Sequence, residues 1–232
     1  MADSAGNTAE VTATTARPPL TPDELRSRGA IGARLADLLE LSEREPERAA
    51  AETWEWFNTL GQDKDEKSLD ELFTLGIAKP MEGPTDGILL ALFVNPLLDT
   101  FAMALMGPGR MTAPWTGKTF DPETQTGTNN FKSWYPPIAR MVFPRYRGIR
   151  REQGKPVMFD NENGIVPDPL DPSHAVWKIE YSDPAKGNPL FVKDVFDALV
   201  EIVPGANLGR IEYNGRNGFT NLGYFALKPA SD

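Results

Sequence analysis

The sequence contains no cysteine and a single histidine, His174. Without cysteine, disulfide bonds, thiolate zinc sites and thiol nucleophiles are excluded. One histidine cannot form a multi-histidine metal centre, and the acidic residues of the predicted helices lack the spacing of a calcium loop. The glycine-containing segments 107–109 and 127–130 are interpreted as loops and lack the strand-then-helix context of a nucleotide motif. The sequence therefore predicts neither a metal site nor a cofactor.

Long apolar runs and an excess of positive charge are missing too. The mean hydropathy is −0.39, which argues against an integral membrane protein, and 24 basic residues stand against 33 acidic ones, a net charge of −9. Generic binding to nucleic acid or to an anionic membrane is therefore not expected. Since the first residues also lack the basic start and apolar run of a signal peptide, a cytoplasmic location is expected.

The 232 residues that are present divide into three predicted parts. Residues 1–20 are small and polar and are expected to form a disordered tail. Residues 21–80 show helical spacing, with a cap at Thr21 and a capping box opening at Ser68. Residues 1–80 together hold 16 acidic and 9 basic residues, so the tail and the helical extension carry most of the net negative charge. Residues 81–232 form the third part.

The sequence pattern of this third part is typical of antiparallel β-structure. Short β-branched or aromatic runs alternate with turn signals, among them one at Asn163-Gly164. The predicted strands are 88–94, 115–120, 145–151, 157–160, 175–181, 191–203, 208–213 and 219–227. Such a meander forms a sandwich or a barrel, and closure would remove its exposed edges. We expect a mainly β protein, an antiparallel lipocalin-like β-barrel with a helical N-terminal extension.

Several short motifs occur in an order that is similar to a known family. They are GPTDG at 83–87, WTGKTF at 115–120, YRG at 146–148 and DVFD at 194–197. This order resembles the GXWXG family, bacterial proteins of unassigned function, over about residues 68–228. Thr85 stands where the family motif has its tryptophan. The resemblance implies an architecture and no particular activity.

Lys118 is the first candidate for chemistry. In a strand, Lys118 shares a face with Phe120, whereas Trp115 lies on the opposite face. If Phe120 points inward, Lys118 lies inside the barrel and needs a carboxylate or an anionic ligand as its partner, or acts as a base. The alternative is that Trp115 points inward and Lys118 lies in solvent.

Asp194 is the second candidate. It lies between Val192 and Phe196 on one face of the predicted strand 191–203, and it could pair with Lys118 or act as a general base. Structural ion pairs and turn-forming aspartates are the commoner alternatives.

Other residues are candidates for ligand binding. Arg147 falls in the most basic segment of the chain, where its guanidinium suits a carboxylate or a phosphate; the alternative is a solvated strand face that pairs with the acidic helices. The aromatic candidates are Tyr146, Trp177 and Tyr181 in strands, Trp115, and Phe101 on an apolar segment over residues 96–106 that could close the barrel. Core packing is the simpler role for these rings.

Three functions remain open on these grounds. The leading one is binding of a small, largely apolar molecule, in one form bearing a carboxylate, inside the barrel, with Lys118, Arg147 and Tyr146 at its polar end. The second is a cofactor-free isomerase or cyclase that uses Asp194 and Lys118. The third is an interaction protein whose acidic helices recruit a partner. The oligomeric state is not predicted.

Overall fold

The fold is a closed antiparallel β-barrel with helices on one side of its outer surface. A computed structural model describes residues 19–93 and 113–230. Most of the predicted tail, and the apolar segment over 96–106 with Phe101, lie outside these residues.

Four helices precede the barrel. They are α1 (Pro22–Arg26), α2 (Ala30–Ser42), α3 (Pro46–Gln62) and α4 (Glu66–Leu75). At α1 the predicted cap is present, since the Thr21 side chain and Glu24 exchange hydrogen bonds. At α4 the predicted capping box at Ser68 is wrong: Asp65 is the N-cap, and its side chain accepts a bond of 3.1 Å from the backbone N–H of Ser68. Within the described ranges, no helix is long and apolar enough to cross a membrane.

The strands follow, with two short helices between them. The strands are β1 (Gly83–Leu92), β2 (Trp115–Asp121), β3 (Thr126–Phe131), β4 (Arg150–Glu152), β5 (Lys155–Pro167), β6 (Ala175–Glu180), β7 (Val195–Val203), β8 (Ala206–Gly215) and β9 (Gly218–Pro229). The helices are α5 (Pro136–Val142) and α6 (Leu190–Lys193). A single turn of 3₁₀ helix covers Pro184–Lys186.

Eight of the strands close on themselves. The order is β3-β2-β1-β9-β8-β7-β6-β5, and β5 pairs back with β3, while β4 only extends the β5 hairpin. Because every neighbouring pair is antiparallel and the last strand bonds to the first, the eight strands have no free edge between them. The predicted barrel and its helical N-terminal region are confirmed.

Three further local predictions were wrong, the first two because long-range pairing outweighed the local signal. Residues 127–130, interpreted as a loop, lie in β3, and this strand makes the closing contact with β5. The predicted turn at Asn163-Gly164 lies inside β5, where both residues pair with β6. The predicted strand 145–151 is reduced to β4, since Tyr146 makes a turn by donating its backbone N–H to the carbonyl of Phe143.

Two hydrophobic cores use opposite faces of the same strands. Outward residues such as Leu90, Val200 and Leu208 pack against the helices, whose contributions include Phe57 and Phe73. Inward residues fill the barrel with a separate set of aromatic and aliphatic side chains. The strand period of two therefore lets one sheet form two cores.

A buried ionic cluster links the helices to the outer face of the barrel. Arg210 on β8 forms ion pairs with Asp168, with Glu212 at 2.9 Å and with Asp70 on α4 at 3.2 Å. Tyr224 on β9 donates a hydrogen bond of 2.9 Å to the same Asp70. Three acidic side chains thus surround one guanidinium under the helical layer.

Glu212 is the exceptional member of this cluster, because its side chain is fully buried. Burial, with the added charge of Asp168, raises the pKa of Glu212 from 4.5 to about 8, although Arg210 acts in the opposite direction. A carboxyl group whose pKa is higher in the folded state stabilises the fold fully below pH 4.5, and that stabilisation is lost as the pH rises towards about 8.

Glu212→Gln is therefore expected to reduce the loss of stability over this pH range, by roughly 1–3 kcal/mol. Glutamine carries no charge and imitates the protonated side chain. The measurement is the free energy of unfolding in urea across the range for both proteins. Glu55→Gln, the same change at an exposed position of α3, should keep the wild-type pH dependence. An equal pH dependence in Glu212→Gln would contradict the assignment.

Candidate functional site

The site lies at one end of the barrel interior, where an open cavity remains. Its space is about 780 Å³, counted with the open mouth. Ten of the fourteen lining residues are apolar or aromatic without a charged or amide group: Leu92, Trp115, Phe131, Phe159, Phe191, Val192, Val195, Ile211, Leu222 and Phe225. The other four are Lys118, Asn129, Tyr181 and Asp197. The cavity is therefore mostly apolar, and these four residues form its one polar corner.

Lys118 is the centre of the polar corner. Its Nζ donates to Oδ2 of Asp197 at 2.8 Å, to Oδ1 of Asn129 at 2.8 Å and to the hydroxyl of Tyr181. The ring centroids of Trp115 and Phe225 lie 5.7 and 5.5 Å from the ammonium nitrogen. Aromatic faces attract a cation, so these rings add to the stabilisation of a charged lysine.

The neighbours of Lys118 are bonded to one another as well. Asn129 Oδ1 also accepts from the indole of Trp115 at 3.0 Å, and Asn129 Nδ2 donates to the hydroxyl of Tyr181 and to the carbonyl of Phe159, each at 3.1 Å. The Tyr181 hydroxyl in turn donates to Asp197 Oδ2 at 2.9 Å. The network joins side chains of β2, β3 and β7 with Tyr181, which follows the end of β6.

Burial governs the ionisation of this network. It lowers the pKa of Lys118, while the charge and the hydrogen bond of Asp197 act to raise it. Burial, together with the negative charge of Asp197, raises the pKa of Tyr181 well above its usual value. Tyr181 therefore stays protonated and serves as a donor to the carboxylate.

One atom of the corner is left without a partner. Among the described residues, no hydrogen bond reaches Oδ1 of Asp197, whereas Oδ2 receives two hydrogen bonds. Asp197 lines the cavity, and 7% of its side chain is exposed. We infer that Oδ1 faces the cavity as a free acceptor.

A shift in strand register explains why Lys118 points inward. The pairing of β2 with β3 slips between Trp115 and Gly117, so Trp115 and Lys118 both point inward although they are three residues apart. The two alternatives drawn from strict alternation were each half right: Lys118 is inside with Phe120, and Trp115 is inside as well.

Gly117 makes this slip possible. Its φ is +140°, and a Cβ at this position would lie 2.2 Å from the carbonyl oxygen of Thr85. Thr85 Oγ1 accepts from the backbone N–H of Lys118 at 3.0 Å and donates to the carbonyl of Lys118 at 2.8 Å. The segment 83–87 and the segment 115–120 are thus neighbours, and together they orient Lys118.

The predicted partner of Lys118 is wrong. Asp194 is the C-cap of α6 and does not line the cavity, because the segment assigned to one strand begins as a helix and becomes strand only at Val195. From that start, Asp197 shares the inward face with Val195, so it takes the position expected of Asp194. Had the strand been predicted to start at Val195, alternation would have predicted Asp197 as the partner of Lys118.

The remaining candidates are divided between the cavity, the core and the surface. Trp115 and Tyr181 line the cavity. Trp177 is buried in the inner core, and Tyr146 packs on Phe159 and accepts its backbone N–H at 2.6 Å; neither lines the cavity. Arg147 is exposed and does not reach the cavity, so of the predicted polar end of Lys118, Arg147 and Tyr146 only Lys118 lines the cavity.

Comparisons with known proteins add little to this geometry. No family model matches the chain, and no curated protein matches it. A crystal structure of a protein from Thermomonospora curvata is similar, with 12% sequence identity and a TM-score of 0.41, covering 72% of this chain and 88% of that chain.

Loss of the Lys118 charge tests the network. Lys118→Met leaves the carboxylate of Asp197 buried without a counter-ion, and we expect the free energy of unfolding to fall by about 3–5 kcal/mol. Adding Asp197→Leu should restore most of this loss, since buried pairs can be replaced by apolar residues of similar volume. Urea unfolding of both variants measures the effect. A double variant as unstable as the single one would contradict simple charge compensation.

Gly117→Ala tests the register slip. The added methyl group meets the backbone of β1, so the expected cost in unfolding free energy exceeds about 3 kcal/mol. Gly154→Ala is the matched control: its φ is +80° with nothing within 4 Å of the added Cβ, and its expected cost is about 1–2 kcal/mol. Equal losses in the two variants would show that the contact with Thr85 does not constrain β2.

Proposed function

We propose that this protein binds one small, largely apolar molecule inside its barrel. The observation that carries the proposal is the open, mostly apolar cavity with a single polar corner. Sites for small molecules are commonly concave and apolar, with a few polar groups that fix the orientation of the ligand. An eight-stranded barrel is also wide enough to hold one such molecule.

The lipocalin-like character of the barrel, its relation to the GXWXG family and a cytoplasmic location belong to the same proposal. The family relation rests on the order of the sequence motifs, among which 115–120 is the better match and 83–87 has Thr85 in place of the tryptophan. The partner we propose is a small apolar or amphipathic molecule. Nucleic acid and membranes are not proposed as partners.

Binding of an apolar dye, with and without a side chain that fills the cavity, tests the proposal directly. The neutral dye N-phenylnaphthylamine, which fluoresces in apolar surroundings, is expected to bind the wild-type protein saturably at one site. Ile211 lines the cavity, so Ile211→Trp should weaken binding of the dye about tenfold or more by occupying the space. The measurement is a fluorescence titration.

Ile165→Trp is the control, because it makes the same change at an exposed position of β5. It should leave the affinity for the dye unchanged, and thermal unfolding verifies that both variants are folded. Dye binding that is insensitive to Ile211→Trp would place the dye elsewhere and contradict the proposal. Mass spectrometry of the natively purified protein can then identify a compound that accompanies it.

Proton transfer is a second candidate function, favoured by the free Oδ1 of Asp197 beside Lys118 and Tyr181. A carboxylate at the wall of an apolar cavity is suited to act as a general base in a cofactor-free isomerisation or cyclisation. In that case Asp197 replaces Asp194 as the base. Recruitment of a partner by the acidic helices stays a prediction.

A further inference from the structure

We propose that the polar end of the bound molecule is an uncharged hydrogen-bond donor, a hydroxyl or an N–H group, that donates to Oδ1 of Asp197. The inference rests on the proposed function and specifies the class of ligand for the same cavity. It changes the earlier expectation of a carboxylate, which assumed that the ammonium group of Lys118 is free to bind an anion.

The ammonium group of Lys118 is not free. An ammonium group has three hydrogens, and Lys118 uses them on Asn129, Tyr181 and Asp197. A ligand anion would have to displace one of these acceptors, and displacing Asp197 would leave a carboxylate unpaired inside the barrel. Such a group is expensive to bury.

The other donors of the corner are also in use. The Trp115 indole donates to Asn129, the Asn129 amide donates to Phe159 and Tyr181, and the Tyr181 hydroxyl donates to Asp197. A ligand that can only accept hydrogen bonds, such as an ether, an ester or a ketone, therefore gains no bond at this corner.

What the corner offers is an acceptor. Oδ1 of Asp197 receives no hydrogen bond from the residues described in either range, and it belongs to a residue of the cavity wall. A hydroxyl or N–H group at this oxygen forms a charge-assisted hydrogen bond, which is stronger than a bond between neutral groups. The net charge of the Lys118–Asp197 pair is zero, so a charged ligand finds no uncompensated counter-ion here to offset the cost of its burial.

Three probes of matched size separate these ligand classes: decanol, methyl nonyl ether and decanoate. Decanol and methyl nonyl ether are isomers, but only decanol can donate a hydrogen bond, and decanoate is an anion at neutral pH. Each probe is titrated against wild-type protein loaded with N-phenylnaphthylamine. Decanol is expected to displace the dye at a concentration about tenfold lower than either of the other two.

Asp197→Asn should reverse part of this order. The free acceptor then belongs to a neutral amide, so decanol should lose about tenfold in affinity, while decanoate should gain because Lys118 has lost its counter-ion. Asp194→Asn is the matched control, since it makes the same substitution three positions earlier at a residue outside the cavity. It should keep the wild-type order.

The results also separate the ligand class from the proposed function. If the wild-type protein binds N-phenylnaphthylamine but gives decanol no advantage over the ether or decanoate, or does not bind decanol, the ligand class is wrong and binding in the barrel stands. If the dye itself does not bind in the cavity, both proposals are overturned. Loss of the decanol preference in Asp194→Asn would likewise contradict the role of Asp197.

Discussion

The ion pair between Lys118 and Asp197 is the constraint around which the barrel interior is arranged. An ammonium group and a carboxylate inside an apolar barrel are tolerated only if their charges and hydrogen bonds are compensated locally. Asn129 and Tyr181 supply that compensation from neighbouring strands, and aromatic rings surround the charge. The slip at Gly117 is the backbone feature that brings Lys118 into the interior.

The barrel has two groups of buried ion pairs, one on each face of its sheet. The Lys118–Asp197 pair lies inside and borders the cavity, whereas the cluster around Arg210 lies outside, under the helices. Since successive residues of β8 point to opposite faces, Ile211 lines the cavity between Arg210 and Glu212 in the sequence. Adjacent residues of β8 therefore line the cavity and attach the helices.

Local sequence signals predicted the class of the fold and part of the site. Alternating apolar residues and turn-forming dipeptides gave most strands, because the pleated strand repeats every two residues. Trp115, Lys118 and Tyr181 were predicted because each is an aromatic or charged residue in a short predicted strand, where one of the two faces points into the barrel. Asp197 and Asn129 were missed. For Asp197, a helical turn at Leu190–Lys193 changes which residues of the following strand share a face with Val192. Asn129 lies in β3, which was interpreted as a loop.

The amino-acid sequence by itself determined the mainly β class, the helical extension with its acidity, and the lack of any cysteine chemistry, because composition and period are local properties. Tertiary structure alone decided which residues meet. The closure of β3 on β5 places Asn129 beside Tyr181, and the slip at Gly117 turns Lys118 towards Asp197, a residue 79 positions away along the chain. Such contacts depend on register between distant strands, and a shift of one residue in register reverses the face on which every side chain lies.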